Sequence, residues 1–149
     1  MLFVSTELEI QTKSASVDDG LAALRCRLLN PPAWTRLTLL KMTSDGKSEE
    51  VVSLLNDGSV EWTNFYLRHR TLVTSDVSVT LVEFSIFIFS LKCSDEALYA
   101  CAVQADVNMT EPQAYLSVTG VCVCVCVCVC VCVCVCVCVC VCVCVCVSE

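Results

Sequence analysis

Alternation of apolar and polar positions is the dominant pattern of the first 119 residues. From Leu21 the side chains of Ala22, Leu24, Cys26 and Leu28 fall on one side of an extended segment, and Ala23, Arg25 and Arg27 on the other. A period of two predicts a strand with one buried face. Residues 4–10 alternate more weakly and predict an edge strand, joined to it by a polar link from Ser14 to Gly20 that turns at Asp18-Asp19-Gly20. Asn30-Pro31-Pro32 breaks the strand, because proline removes a donor and fixes φ, and a new strand is predicted over Trp34 to Met42.

Ser44-Asp45-Gly46-Lys47 is a hairpin signal, since Asp-Gly supplies the positive φ angles of a tight turn. Glu50 to Leu55 returns antiparallel, and Asn56-Asp57-Gly58 turns the chain again. Val60 to Leu67 and Leu72 to Val79 predict two further strands. The run from Val79 to Leu91 is apolar on both faces, so it contains a strand that is either covered on both sides or a sticky edge. Glu83 and several polar residues interrupt it, which argues against a membrane helix. Then Ala97, Tyr99, Cys101 and Val103 share one face, with Leu98, Ala100 and Gln104 on the other. After a loop from Ala105 to Pro112, Gln113 to Thr119 closes the series with Ala114, Leu116 and Val118 in phase. Short strands at this spacing predict an all-β, two-sheet antiparallel sandwich over residues 1–119.

The stretch Asp95-Glu96-Ala97-Leu98-Tyr99-Ala100-Cys101 resembles the start of the sixth strand of an immunoglobulin-type domain. The resemblance covers about residues 4–119, and its specific part is the Asp-x-Ala-x-Tyr-x-Cys motif with a second cysteine, Cys26. It implies a disulfide between Cys26 and Cys101, for which chain entropy gives roughly 4 kcal/mol of stabilisation. On the residues alone, two buried thiols are the alternative. It implies that the Tyr99 hydroxyl bonds back to the backbone at the sheet corner. It also implies that Asp95 accepts a charge-assisted hydrogen bond from Arg68 or Arg70, against the plainer reading of a solvated turn acid. A core tryptophan is expected on the disulfide; Trp34 is the candidate, with Leu37 or Leu39 as substitutes because only a tight turn separates Trp34 from Cys26.

Composition changes the picture mainly through cysteine. Of 16 cysteines, 13 lie between Cys122 and Cys146, so the domain carries Cys26, Cys93 and Cys101. Disulfide usage implies an oxidising compartment, yet Met1-Leu2-Phe3-Val4 leads at once into polar residues and is no signal peptide. The expectation is a fragment of a larger extracellular or cell-surface protein. Cys93, just before the motif, is expected to pair with a neighbouring domain or chain, or to stay free. The net charge of −7 argues against a nucleic-acid surface, which needs clustered Lys and Arg.

Residues 120–149 form a tail outside the domain, an unbroken Val-Cys alternation over residues 121–147. A GT dinucleotide repeat read in frame encodes this peptide, so it reads as a gene model running past an exon. The stretch is long enough to span a bilayer. But its β-branched repeat suits a helix poorly and no Lys or Arg flanks it, so membrane association rests on the tail alone. Alternate cysteines on a straight strand stand about 6.6–6.8 Å apart and diverge, unlike the converging ligands of a zinc site.

No enzyme chemistry emerges. His69 stands between Arg68 and Arg70, a surface position, and there is no Gly-rich phosphate loop and no zinc-spaced set, so neither metal nor cofactor is expected. Asn108-Met109-Thr110 is a glycosylation sequon in the 105–112 loop. The expected function is non-enzymatic binding of a protein or glycan ligand through the loops Asn30–Ala33, Asn56–Gly58 and Ala105–Pro112 or through a sheet face. A structural spacer and a membrane-anchored form are the alternatives.

Overall fold

The computed structural model describes residues 5–13, 15–16, 20–119, 121–126 and 142–147. The strands follow in order as β1 (Glu7–Lys13), β2 (Ala15–Ser16), β3 (Leu21–Leu29), β4 (Trp34–Met42), β5 (Ser48–Leu55) and β6 (Val60–Trp62). A short helix α1 (Phe65–Arg68) leads to β7 (Thr71–Val77) and β8 (Leu81–Phe89). After a 3-10 turn at Cys93–Asp95 come β9 (Ala97–Ala105), β10 (Gln113–Leu116) and β11 (Val118–Thr119), then β12 (Val121–Cys126) and β13 (Cys142–Val147).

Two antiparallel sheets pack face to face. One has the order β1-β3-β8-β7, the other β10-β9-β4-β5-β6. Their inner faces are the alternating positions of the sequence: Ala22, Leu24, Cys26 and Leu28 of β3 meet Leu37, Leu39, Tyr99 and Cys101, all at most 1% exposed. β2 and β11 form a separate parallel pair. Residues 121–126 and 142–147 pair with each other as a two-stranded antiparallel sheet, Cys122 opposite Cys146. The turn expected at Asp18-Asp19 and the middle of the tail, 127–141, lie outside the described residues.

The apolar run is not an edge. β8 lies between β3 and β7 and turns Val82, Phe84, Ile86 and Ile88 inward. On its outer face Glu83 and Ser85 are covered by β3: Arg25 Nε lies 2.9 Å from Glu83 Oε1 and 3.2 Å from Ser85 Oγ. The strand expected within Val79–Leu91 begins at Leu81, because Ser78 to Thr80 form a turn, with Ser78 N donating to Leu81 O at 2.9 Å.

The expected strand over Val60–Leu67 is corrected to three residues of strand and a helical turn. The register between β4 and β5 shifts between Leu39 and Leu40, leaving Val51 as a bulge. The Val51 carbonyl accepts from both Thr63 N and Asn64 N at 3.0 Å, which bends the chain out of β6. The Asn64 side chain then caps α1 by accepting from Leu67 N.

Candidate binding surface

One end of the sandwich is held by a side-chain lock. Asp95, 1% exposed, receives both arms of the Arg70 guanidinium, Nη2 to Oδ1 at 2.8 Å and Nη1 to Oδ2 at 2.9 Å. Lys92 N donates to the same carboxylate at 2.8 Å. The expected acid–base contact therefore forms, with Arg70 and not Arg68. Arg68 ends α1 exposed, and the next turn of chain brings Arg70 under the 3-10 turn, where its Nη1 also reaches the carbonyl of Ser90 at 3.1 Å. The hydrogen bond to Asp95 strengthens the hold of Arg70 on its proton.

Tyr99 lies under this lock, fully buried, and donates its hydroxyl to the Asp95 carbonyl at 2.7 Å. Burial and the adjacent Asp95 push its phenol well above the usual tyrosine range. Two residues on, Cys101 is bonded to Cys26 across the core, with Cα atoms 5.9 Å apart. Phe84 of β8 pairs with Cys26, and Leu39 of β4 pairs with Cys101. Trp34 does not occupy that place. It begins β4 opposite Ala105, half-buried at the rim of the core, because a turn of four residues after Leu29 returns the chain at the sheet's end. Leu37 and Leu39 fill the deep positions. Cys93, expected to be a spare thiol or an external partner, is engaged in a disulfide.

The opposite end gathers the three loops named from the sequence. Asp106 N donates to Ala33 O at 3.0 Å, Asn56 N to Thr35 O at 3.1 Å, and the Asn56 side chain to Trp34 O at 3.0 Å. Two open hollows share Ala33, Trp34 and Asn56. Two segments missed in the sequence join this end. Asn30 N donates to Thr80 O at 2.8 Å, bringing in the Ser78–Thr80 turn, and Thr6 Oγ1 donates to Asn30 O at 2.9 Å, bringing in the start of β1. The sequence signal for the first was Ser78 and Thr80, turn-favouring residues on either side of Val79, which is 90% exposed.

The chemistry of this end is acidic and apolar. Asp57, Asp106 and Glu111 are exposed, and the loops 30–33, 56–58 and 105–112 carry no Lys or Arg. The Ser59 hydroxyl and N–H hold the Asp57 carboxyl below the ordinary carboxylate range. Val107 is 48% exposed, and Asn108 stands exposed beside it with its sequon. On the outer face of the five-stranded sheet, Thr38 and Ser53 share a hydrogen bond at 2.8 Å, and Arg36 pairs with Glu61 at 3.0 Å. His69 is exposed at the other end.

Among the described residues no group of His, Cys, Asp or Glu converges in a way that holds a metal ion, and no helix is long and apolar enough to cross a membrane. No family model matches the chain, and no curated protein matches its sequence.

Proposed function

We propose that residues 1–119 are an immunoglobulin-like recognition module of an exported, non-enzymatic protein, which binds a protein or glycan partner through the acidic loop end. The observation that carries this reading is the constellation at the sheet corner. A tyrosine hydroxyl on an upstream backbone carbonyl, two residues before a cysteine that bridges the sheets, is the arrangement shared by such domains. The strand orders support it as well, because the extra strands β5 and β6 beside β4 resemble the additional pair of the variable type.

Fold leaves the ligand open, so the loop end is assigned on its own features. Its connections are held by backbone hydrogen bonds and by the side chains of Thr6, Asn30, Thr35 and Asn56, which leaves the side chains of Val79, Asp106 and Val107 available for contact. Secretion also accounts for the exposed sequon at Asn108: the proposal includes a glycan there.

The full chain, secreted from a eukaryotic host, tests both parts. Screened against cell-surface ectodomains and a glycan array, it should bind a partner. That binding should be lost in Val79→Asp and Val107→Asp and kept in Lys47→Glu at the other end. Binding insensitive to the loop changes would overturn the assignment. Endoglycosidase should shift the secreted protein but leave Asn108→Gln unchanged.

A further inference from the structure

We infer that β7 is a docking edge for a second copy of this chain, joined strand to strand in antiparallel fashion about Thr74. Among the described residues the sandwich has four lateral strands, and three are protected. β6 is three residues long, β10 runs on into the pair of β11 with β2, and β1 carries Glu7, Glu9 and Lys13. Short edges and edge charges are devices that prevent pairing between chains.

β7 is seven residues long and carries a single charge, Asp76. Its sequence Thr71-Leu72-Val73-Thr74-Ser75-Asp76-Val77 contains no Lys, Arg, Pro or Gly, and its register with β8 is unbroken from Thr71 to Val77. Four of its residues suit strands by β-branching, Thr71, Val73, Thr74 and Val77. It is also accessible: Leu72, Thr74, Ser75, Asp76 and Val77 are all exposed.

The backbone decides which occupant fits. Phe89 N donates to Arg70 O and Ser78 N to Leu81 O, so the even-numbered residues of this segment bond toward β8. By the alternation of an antiparallel ladder, Thr71, Val73, Ser75 and Val77 present their N–H and C=O groups outward. A two-fold axis through Thr74 sets Thr71 against Val77 of the partner copy and Val73 against Ser75. Every outward donor then meets an outward acceptor, in both strands at once. Thr74 stands opposite its own copy, a favourable hydroxyl pair, and each Asp76 faces Leu72 of the other chain and not a second carboxylate. This self-complementarity favours a second copy over an arbitrary peptide. The joint is small, so the dimer is weak and depends on concentration.

Sedimentation velocity on the full chain, treated with iodoacetamide without denaturant to cap accessible thiols, tests the inference. The sedimentation coefficient should rise with concentration toward a dimer. Thr74→Lys, which sets like charges across the axis, should weaken association by about tenfold or more with an unchanged melting curve. Ser75→Pro removes an outward N–H and no bond to β8, and should act in the same way. Amide exchange at Val73 and Ser75 should slow as concentration rises. If Ser75→Pro fails to fold, Thr74→Lys and the exchange data still decide. A chain that stays monomeric, or association unchanged in Thr74→Lys with Val73 and Ser75 exchanging freely, would overturn it.

Discussion

At the end of the sandwich where β9 begins, side chains hold the connections: Arg70 clamps Asp95, Tyr99 ties the backbone behind it, and Lys41 Nζ donates to Ser94 O at 2.7 Å. At the loop end peptide groups tie Asp106 N to Ala33 O and Asn30 N to Thr80 O, and the side chains that join them, Thr6, Asn30, Thr35 and Asn56, donate to backbone carbonyls and not to one another. The difference separates two kinds of sequence constraint. Where a side chain makes the structural bond, its identity is fixed. Where the backbone makes it, the side chains of neighbouring residues can change at little cost to the fold, which is what a surface that selects partners requires.

The sharpest way to break this contrast is to remove the bonds that define the held end. Cys101→Ala should cost about 2–5 kcal/mol and leave the domain unfolded at body temperature, read by circular dichroism. Arg70→Ala should cost about 3–5 kcal/mol in urea denaturation, because it strands a buried carboxylate. Arg68→Ala should cost less than about 0.5 kcal/mol. Equal effects at the two arginines would dissolve the lock.

Tyr99→Phe should lose about 1 kcal/mol at neutral pH, and it adds a pH signature. The folded phenol titrates above its unfolded value, so its contribution is complete below about pH 10 and fades as pH rises toward the folded value. Wild-type stability should therefore fall above about pH 10 through this group, and the phenylalanine variant should show a shallower decline in the same titration. At the loop end, Val107→Ala and Asp106→Ala should stay within about 0.5 kcal/mol of wild type in thermal melts. Gly58→Ala is the exception there and should cost about 1 kcal/mol, since Gly58 has φ +88°. A large loss at Val107 would mean that this end too is held by side chains.

The strands with one buried face were legible in the sequence, because Ala22 to Leu28 and Ala97 to Val103 alternate without interruption. So were the gathering of the loops, which follows from strand order, and the hairpin at Asp45-Gly46, although Gly46 takes a positive φ there and Asp45 does not, so the two-residue turn expected is replaced by a longer one closed by Thr43 N on Lys47 O. The details that depend on contacts distant in sequence were not. Val60 to Leu67 looked continuous because Val60, Trp62 and Leu67 are apolar, and the chain turns at Asn64 through a bulge on β5, ten and more residues earlier. Arg68 and Arg70 could not be separated without α1, whose turn aims one outward and the other beneath Asp95. Trp34 was drawn toward the core by resemblance, yet the tight turn after Leu29 leaves it at the rim. The pairing of β2 with β11 joins residues at opposite ends of the domain and has no local signal.

The covalent link between Cys26 and Cys101 also fixes how the domain would respond to mechanical load. With those two sulfurs joined, the chain between them cannot be drawn out, and both sheets remain looped around one short crosslink. Force applied through the chain ends can lengthen only the segments that neither this link nor the disulfide of Cys93 encloses, by about 3.3–3.6 Å for each residue released. Extension would stop while most of the core was still folded, because Leu28, Leu37, Leu39, Phe84 and Tyr99 all lie between the two sulfurs.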